Sequence, residues 1–181
     1  AFAQLLALDF ADRVLSLVLI STSPATPGAR GLPSATERYS RFLATAAEVH
    51  WSHGESVTEY LVDYARMLAG GQRPFDEVAV TDLVRRDVER SRNIAASENH
   101  SLIEDGESAH GSLSSIAAPT LVIHGTADPM LPLEHGEALA EEIRGARLLP
   151  LDRAGHGIDR ADWEIIAGAI VGHTALMGRS D

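Results

Sequence analysis

The sequence contains no cysteine, few aromatic residues and a deficit of positive charge. The absence of cysteine excludes disulfides, thiolate metal sites and a cysteine nucleophile. With 15 Lys and Arg against 26 Asp and Glu, the formal net charge is −11, which repels phosphate backbones and anionic membrane surfaces. We therefore expect neither a nucleic acid nor a membrane as a partner.

Long hydrophobic runs are also missing. The apolar run at residues 14–20 is far shorter than the roughly 20 residues that span a bilayer, and no basic segment followed by an apolar one opens the chain. These absences predict a soluble protein, and the lack of cysteine is compatible with a cytoplasmic location. A length of 181 residues, 45% of them apolar, is sufficient for one domain with a buried core.

Strand patterns alternate with helical patterns near the two ends of the chain. Three apolar runs are typical of buried strands, at residues 14–20, 120–124 and 146–151. Segments with helical spacing lie beside them, at residues 2–11, 133–143 and 161–176. Between the first two strands, three charged segments have helical periodicity, at residues 34–51, 55–69 and 75–93, and residues 97–118 are loop-like. This order predicts a parallel sheet with helices on both faces and a helical insertion.

Two polar residues follow neighbouring strands of the predicted sheet. Asp128 lies in the turn after residues 120–124, and His156 lies between two glycines after residues 146–151. The carboxyl ends of parallel strands meet at one edge of the sheet, where ligands bind in open sheets of this kind. Neighbouring strands are about 4.8 Å apart, so the two side chains can come within hydrogen-bonding distance.

An aspartate beside a histidine is the pairing that nucleophilic hydrolysis requires. The carboxylate orients the imidazole, and the histidine takes a proton from the nucleophile and returns it to the leaving group. Gly155 and Gly157 favour this interpretation, since flanking glycines let the backbone turn sharply and leave the ring accessible. The alternatives are a turn or capping role for Asp128 and a surface-loop position for His156.

Several segments in series resemble the α/β-hydrolase fold family, in which nucleophile, acid and histidine follow one another along the chain. They are the helix and strand at residues 1–20, the acid strand and turn at 119–129 and the histidine segment at 155–157. Within the family, the sequence is most similar to small esterases and lactonases, including aclacinomycin methylesterase-like proteins. The order and spacing of these segments make the resemblance more specific than any single motif.

The resemblance implies the C-terminal part of an α/β-hydrolase fold, with a parallel sheet, flanking helices and an inserted helical cap. Residues 1–24 and 112–181 would form the core, and residues 25–111 would form the cap. The nucleophile, expected as a serine about four residues before Ala1, and the oxyanion-hole donors would lie upstream. We expect upstream residues to complete the sheet and this chain alone to be inactive.

The resulting hypothesis is a serine hydrolase of carboxylic esters or lactones, in which Asp128 orients His156 and no cofactor or metal takes part. Its partner would be a small ester-like molecule, and the existence of a homo-oligomer stays open. An aspartate nucleophile would instead make the protein an epoxide hydrolase or a dehalogenase, and a serine could also support perhydrolysis. A noncatalytic binding module of the same fold is the remaining alternative.

Other side chains are weaker candidates for these roles. Asp152 is nearer to the histidine in sequence, but a solvated loop position fits it better. Ser21 and Ser23 lack the glycine-flanked turn of a nucleophile and fit turn or capping roles. His50 and His53 lie near a predicted helix end, but no further ligands for a metal accompany them.

Large side chains in the helical insertion have two interpretations. They can line a substrate pocket, as cap aromatics do in the family, or they can pack the insertion helices together. The prediction of substrate contact falls on Trp51, Tyr60, Tyr64 and Met67, and Tyr39 is a further aromatic in the same segment.

Overall fold

A computed structural model of the chain describes residues 1–26, 28, 31–44, 49–96, 99 and 111–175. These residues form a three-stranded parallel sheet with helices on both faces, which confirms the predicted fold class. The predicted segments at residues 34–51, 97–118 and 161–176 lie partly outside the described residues.

The sheet consists of three parallel strands in sequence order, β1 (Leu17–Ile20), β2 (Thr120–Gly125) and β3 (Arg147–Leu151). Every residue of β2 is buried, because this strand has a neighbour on each side and helices above and below it. The first strand begins later than its apolar pattern predicts, since pairing starts only at Leu17, opposite Thr120. The carboxyl ends of β2 and β3 lie side by side, with Gly125 opposite Leu151.

The described residues form six α-helices, in chain order α1 (Phe2–Asp9), α2 (Glu37–Leu43), α3 (Gly54–Leu68), α4 (Glu77–Arg90), α5 (Glu134–Glu142) and α6 (Trp163–Ala175). Short 3₁₀ turns occur at Ala11–Arg13, Leu113–Ser115 and Arg160–Asp162. Among the helices just named, none combines the length and the apolar character needed to cross a membrane.

Helices α2, α3 and α4 make up the described part of the helical insertion between β1 and β2. Side-chain caps fix where two of them begin: Thr36 accepts the backbone N–H of Tyr39, and Asp76 accepts that of Ala79. Helices α3 and α4 pack against each other, and α2 packs on α3. The division of the chain into core and cap domains at residues 24/25 and 111/112 stays a prediction.

The hydrophobic core lies on both faces of the sheet. On one face, Val122 belongs to a buried cluster with Leu139 of α5 and Ala7 of α1. On the other face, Ile123 is buried with Ile166 of α6. Successive side chains of a strand point to opposite faces, so the central strand is anchored from both sides. This anchoring fixes the position of the turn that follows β2.

Leu139→Ala in the intact protein is expected to lower the free energy of unfolding by about 2–5 kcal/mol. Leu139 has no exposed surface, so its truncation leaves a cavity between α5 and the sheet. Leu15→Ala is the matched control, because 78% of Leu15 is exposed, and its cost should stay within about 0.5 kcal/mol. Urea denaturation followed by circular dichroism measures both, and equal costs would contradict the packing described here.

Candidate active site

The structure brings Asp128 and His156 into direct contact. Nδ1 of His156 lies 2.8 Å from Oδ2 of Asp128. An ionised carboxylate can only accept a hydrogen bond, so Nδ1 carries the ring proton of a neutral imidazole and Nε2 is left as an acceptor. Among the described residues, Nε2 has no hydrogen-bond partner. The ring is therefore arranged to take up a proton at Nε2.

The Asp128 side chain is fully buried and its other oxygen is also hydrogen-bonded. Oδ1 accepts the backbone N–H groups of Met130 at 2.9 Å and of Leu131 at 2.8 Å. These bonds close the turn after β2 and hold the carboxylate in one orientation. The turn role that the sequence offered as an alternative therefore coexists with the contact to the imidazole.

His124, the fifth residue of β2, lies beneath the same turn and is completely buried. Its Nε2 lies 2.8 Å from the backbone oxygen of Leu131 and 3.5 Å from Oδ2 of Asp128. A carbonyl can only accept, so Nε2 of His124 carries the proton. Within the described residues, its buried Nδ1 has no hydrogen-bond partner. His124 thus supports the turn and directs an N–H edge towards the carboxylate.

Backbone hydrogen bonds hold the acid turn (residues 126–131) against the histidine loop (residues 152–162). Ala127 donates its N–H to the oxygen of Ala154 at 2.8 Å, and Thr126 donates to Leu151 at 3.0 Å. The hydroxyl of Thr126 accepts the N–H of Arg153 at 2.7 Å. The distance between the carboxylate and the imidazole is therefore set by the ends of two adjacent strands.

The helical insertion also contacts the acid turn and the histidine loop. The backbone oxygen of Leu68, at the end of α3, accepts the N–H of His156 at 2.8 Å. Gly70 has a φ of +76° and lies against the backbone oxygen of Ala127, where a side chain would collide. Residues 68–70 therefore pack against the acid turn and the histidine loop together.

The two glycines that flank His156 serve different purposes. The chain bends at His156 and Gly157, but neither glycine has a positive φ, so neither adopts the left-handed conformation that favours glycine. A Cβ on Gly155 would collide with the backbone of Leu68 and Ala69, whereas nothing lies within 4 Å of a Cβ on Gly157. Gly155 is required for close packing under α3, and Gly157 is not.

Gly155→Ala in the intact protein is expected to destabilise the fold by about 1–3 kcal/mol, because the backbone of α3 must move away from the histidine loop. Gly157→Ala should change stability by less than about 0.5 kcal/mol. Thermal unfolding of the two variants beside the wild type measures this difference. If both alanines were tolerated equally, the close approach of Gly155 to Leu68 would be wrong.

Five aromatic side chains form a cluster on the insertion. Tyr60 stacks on Phe42, with centroids 5.7 Å apart and planes at 7°, and on Tyr64, at 6.2 Å and 10°. Trp51 meets Tyr60 edge-on at 5.7 Å. The hydroxyls of Tyr39 and Tyr64 are hydrogen-bonded at 3.3 Å. The structure thus brings together three of the four residues predicted to contact substrate.

Tyr39 links this aromatic cluster electrostatically to the acid. Burial raises the pKa of Tyr39 well above its usual value, and the hydrogen bond with Tyr64 and the charge of Asp128 act in the same direction. The Tyr39 hydroxyl therefore stays protonated at neutral pH. It remains a hydrogen-bond donor.

Met67, the fourth residue predicted to contact substrate, lines a cavity of about 560 Å³ with Asp128, Gly70 and Pro129. A larger cavity of about 710 Å³ lies between α3 and α4 and is lined mainly by charged and polar side chains. Asp128 lines only the smaller of the two. Trp51, Tyr60 and Tyr64 line neither.

The weaker candidates for catalytic roles have other environments. The Asp152 side chain is 85% exposed and pairs with Arg153, not with the imidazole. Ser21 follows β1 with a φ of +44°. Ser23 donates to Nδ1 of His135 at 2.8 Å, because Nε2 of His135 donates to the backbone of the insertion. Ser21 therefore lies in a turn, and Ser23 belongs to a hydrogen-bond network that links α5 to the insertion through His135.

His50 and His53 do lie near each other, with ring centroids 5.8 Å apart. Across the described part of the chain, no three histidine, aspartate or glutamate side chains are grouped as metal ligands would be.

Comparisons with known proteins show what this chain is similar to. A family model described as TAP-like protein, of the Abhydrolase_4 family, matches residues 96–163. The chain is 28% identical over 189 residues to rhodomycin D methylesterase DnrP of Streptomyces peucetius, covering 94% of this chain and 62% of that protein. It is 30% identical to the pimeloyl-[acyl-carrier protein] methyl ester esterase of Aromatoleum aromaticum, covering 84% and 62%.

A solved structure gives the same result for the fold. The meta-cleavage product hydrolase CumD of Pseudomonas fluorescens IP01 superposes with a TM-score of 0.63 at 22% identity, over 96% of this chain and 60% of that one. The chain has the fold of the α/β-hydrolase family. The sequence-based prediction of the family is therefore confirmed.

The α/β-hydrolase fold is present here in part. The chain spans 62% of the length of each of the two curated relatives. The acid and histidine candidates lie in the segments that follow the second and third described strands.

Two features of this candidate site were not predicted from the sequence. Arg73 in the insertion donates from Nη1 to Oδ2 of Asp162 at 2.6 Å, across 89 residues of sequence. His124 beneath the acid turn is the second. No local motif signals the ion pair, because its partners meet only in the folded chain. His124 could have been noted from its place four residues before Asp128.

Proposed function

We propose that the intact protein is a serine hydrolase of small carboxylic esters or lactones, with Asp128 and His156 as acid and base of its triad. The observation that carries this proposal is the 2.8 Å contact between Nδ1 of His156 and the buried carboxylate of Asp128, with Nε2 left open. The nucleophilic serine and the oxyanion-hole donors are proposed to lie upstream of this chain.

The reaction runs in two halves through the same nitrogen. Nε2 of His156 takes the proton of the serine hydroxyl while the serine oxygen bonds to the acyl carbon. The ester C–O bond then breaks, and the leaving alkoxide takes the proton from Nε2 and departs as the alcohol. Water next gives a proton to Nε2 while its oxygen bonds to the acyl carbon of the acyl-serine. The bond between that carbon and the serine oxygen then breaks, the serine oxygen takes the proton back from Nε2, and the carboxylic acid is released. No step needs a metal or a cofactor.

Asp128 would contribute orientation and charge. Its carboxylate holds the proton on Nδ1 and stabilises the imidazolium that forms in each half-reaction. Two backbone N–H groups bind Oδ1, so the carboxylate is already oriented when the positive charge develops. Burial increases the strength of this interaction, because little solvent screens it.

The names of the relatives favour ester chemistry over the other reactions that this fold supports. Both curated relatives are named for the hydrolysis of methyl esters. The solved neighbours are under 25% identical and bear on the fold alone. An epoxide hydrolase or dehalogenase would need an aspartate nucleophile, and a binding module would need none.

We further propose that Trp51, Tyr60, Tyr64 and Met67 contact the substrate. Met67 lines the cavity beside Asp128, and Tyr64 joins the aromatic cluster to Tyr39 through their hydroxyls. Tyr60 is buried, so it would contact the substrate over a smaller area than Tyr64 and Trp51, which are half-buried. Aromatic faces of this kind bind the planar part of a substrate by stacking.

Tyr64→Leu in the intact protein is expected to lower the ratio of kcat/KM for phenyl acetate to that for ethyl acetate by about five- to tenfold. Leucine keeps apolar volume but cannot stack on an aromatic ring. Phe75→Leu is the control, because Phe75 packs under Arg66 outside the cluster, and it should leave the ratio unchanged. An unchanged ratio in Tyr64→Leu would remove Tyr64 from the substrate site.

The proposed function is tested on the full-length protein with two readouts. A fluorophosphonate should label one upstream serine, located by peptide mass spectrometry, and the labelled protein should lose its ability to hydrolyse p-nitrophenyl and methyl esters. Labelling and hydrolysis together support the serine hydrolase. An aspartate at that position would indicate the epoxide hydrolase or dehalogenase alternative, and absence of both readouts would favour a binding module.

A further inference from the structure

Arg73, in the connection between α3 and α4, reaches both ends of the histidine loop. Its Nη1 donates to Oδ2 of Asp162 at 2.6 Å, at the last residue of the loop. Its Nε donates to the backbone oxygen of Asp152 at 2.9 Å, and Nη2 donates to the same oxygen. One guanidinium therefore joins the start of the loop to its end.

The middle of the loop is held by the same stretch of the insertion. Leu68 is the last residue of α3, so its carbonyl has no partner within the helix and accepts the N–H of His156 at 2.8 Å. Gly155 leaves no space for a side chain at this contact. Residues 68–73 thus bind the loop at its start, its centre and its end.

The ion pair between Arg73 and Asp162 is shielded from solvent. The side chains are 20% and 8% exposed, whereas those of Arg41 and Glu37, a surface pair, are 73% and 81% exposed. Surface ion pairs contribute little to stability, but removal of one partner of a shielded pair is strongly destabilising, because the other charge is then left buried without a partner. The Arg73 contact is therefore expected to restrain the loop more strongly than a surface ion pair would.

We propose that Arg73 is a positioning residue that keeps the imidazole of His156 aligned with Asp128 and the reacting atoms, acting through the histidine loop. This inference rests on the proposed function of His156. The hydrogen bonds of Arg73 go to Asp152 and Asp162. Arg73 does not line the cavity beside Asp128, although the preceding residue, Gln72, does. Loss of Arg73 should therefore affect the chemical step more than substrate binding.

The test compares three variants of the full-length protein. Arg73→Gln combined with Asp162→Asn removes the ion pair without leaving one charge buried alone. Arg73→Lys keeps the charge for Asp162 but cannot also form the fork on the Asp152 carbonyl. Arg66→Gln is the control, since Arg66 pairs with Glu77 within the insertion and does not touch the histidine loop.

The double variant is expected to lower kcat by about 10- to 100-fold with KM changed less than about threefold, because displacement of a catalytic group by about 1 Å has effects of this size. Arg73→Lys should recover part of kcat, and Arg66→Gln should stay within about twofold of the wild type. The kcat values are referred to sites titrated with fluorophosphonate, so unfolded protein does not count. An undiminished kcat in the double variant would overturn the inference.

Failure of the proposed function gives a different result. If the wild-type protein hydrolyses no ester and takes no label, the proposed function fails, and amide hydrogen exchange then tests the positioning role by itself. Exchange in residues 152–162 should become faster in the double variant and remain unchanged in Arg66→Gln. Unchanged exchange in the double variant would overturn the role of Arg73 whatever the reaction.

Discussion

His156→Ala in the intact protein is expected to lower kcat for a p-nitrophenyl ester by at least about a thousandfold. Alanine removes Nε2, which is the open acceptor of the site, and the serine proton then has no base within reach. The residual rate would come from the oxyanion hole and from substrate binding. Initial rates at saturating ester, referred to total folded protein, measure the loss.

His53→Ala is the control for the first prediction. His53 is exposed at the start of α3 and stands outside the contacts around Asp128. Its replacement should leave kcat within about twofold, as surface substitutions usually have small effects. Turnover by His156→Ala at more than a tenth of the wild-type rate would remove His156 from the mechanism.

Asp128→Asn is expected to lower kcat by about a thousandfold to ten-thousandfold while KM changes little. Oδ1 of Asp128 accepts two backbone N–H groups, so the amide oxygen of an asparagine will occupy that position. Its amide nitrogen then faces Nδ1 of His156 and donates to it. The imidazole is forced to carry its proton on Nε2, where it can no longer accept one from the serine.

Asp152→Asn is the matched control for the second prediction. It is closer to His156 in sequence than Asp128 is, but its side chain is exposed and pairs with Arg153. The substitution should leave kcat nearly unchanged. A large loss of kcat in Asp152→Asn together with a small loss in Asp128→Asn would contradict the assignment of Asp128 as the acid.

The sequence predicted the central part of the fold because local patterns determine it. The apolar run that becomes β2 can be satisfied only by burial on both faces, and such burial requires a parallel neighbour and flanking helices. A turn residue placed directly after such a strand must lie at the sheet edge. This reasoning was sufficient to predict that Asp128 and His156 lie close together, as the structure shows.

Other parts of the site depend on contacts that no local pattern contains. Arg73 and Asp162 are 89 residues apart, and neither lies in a motif. The sequence suggested that Gly155 is needed for a turn, but in the structure a glycine is needed there because the backbone at the end of α3 leaves no space for a side chain. The stacking of Tyr60 on Phe42 follows from how α2 crosses α3, and helical periodicity does not specify that crossing.

The most direct test of the whole account is whether Asp128 and His156 act as one unit in catalysis. The measurement is kcat of the full-length protein as wild type, Asp128→Asn, His156→Ala and the double variant. Groups that act as a unit are strongly non-additive, so the double variant should be no slower than His156→Ala by more than about threefold. If the two losses multiplied instead, the acid and the histidine would act independently, and the proposed triad would be contradicted.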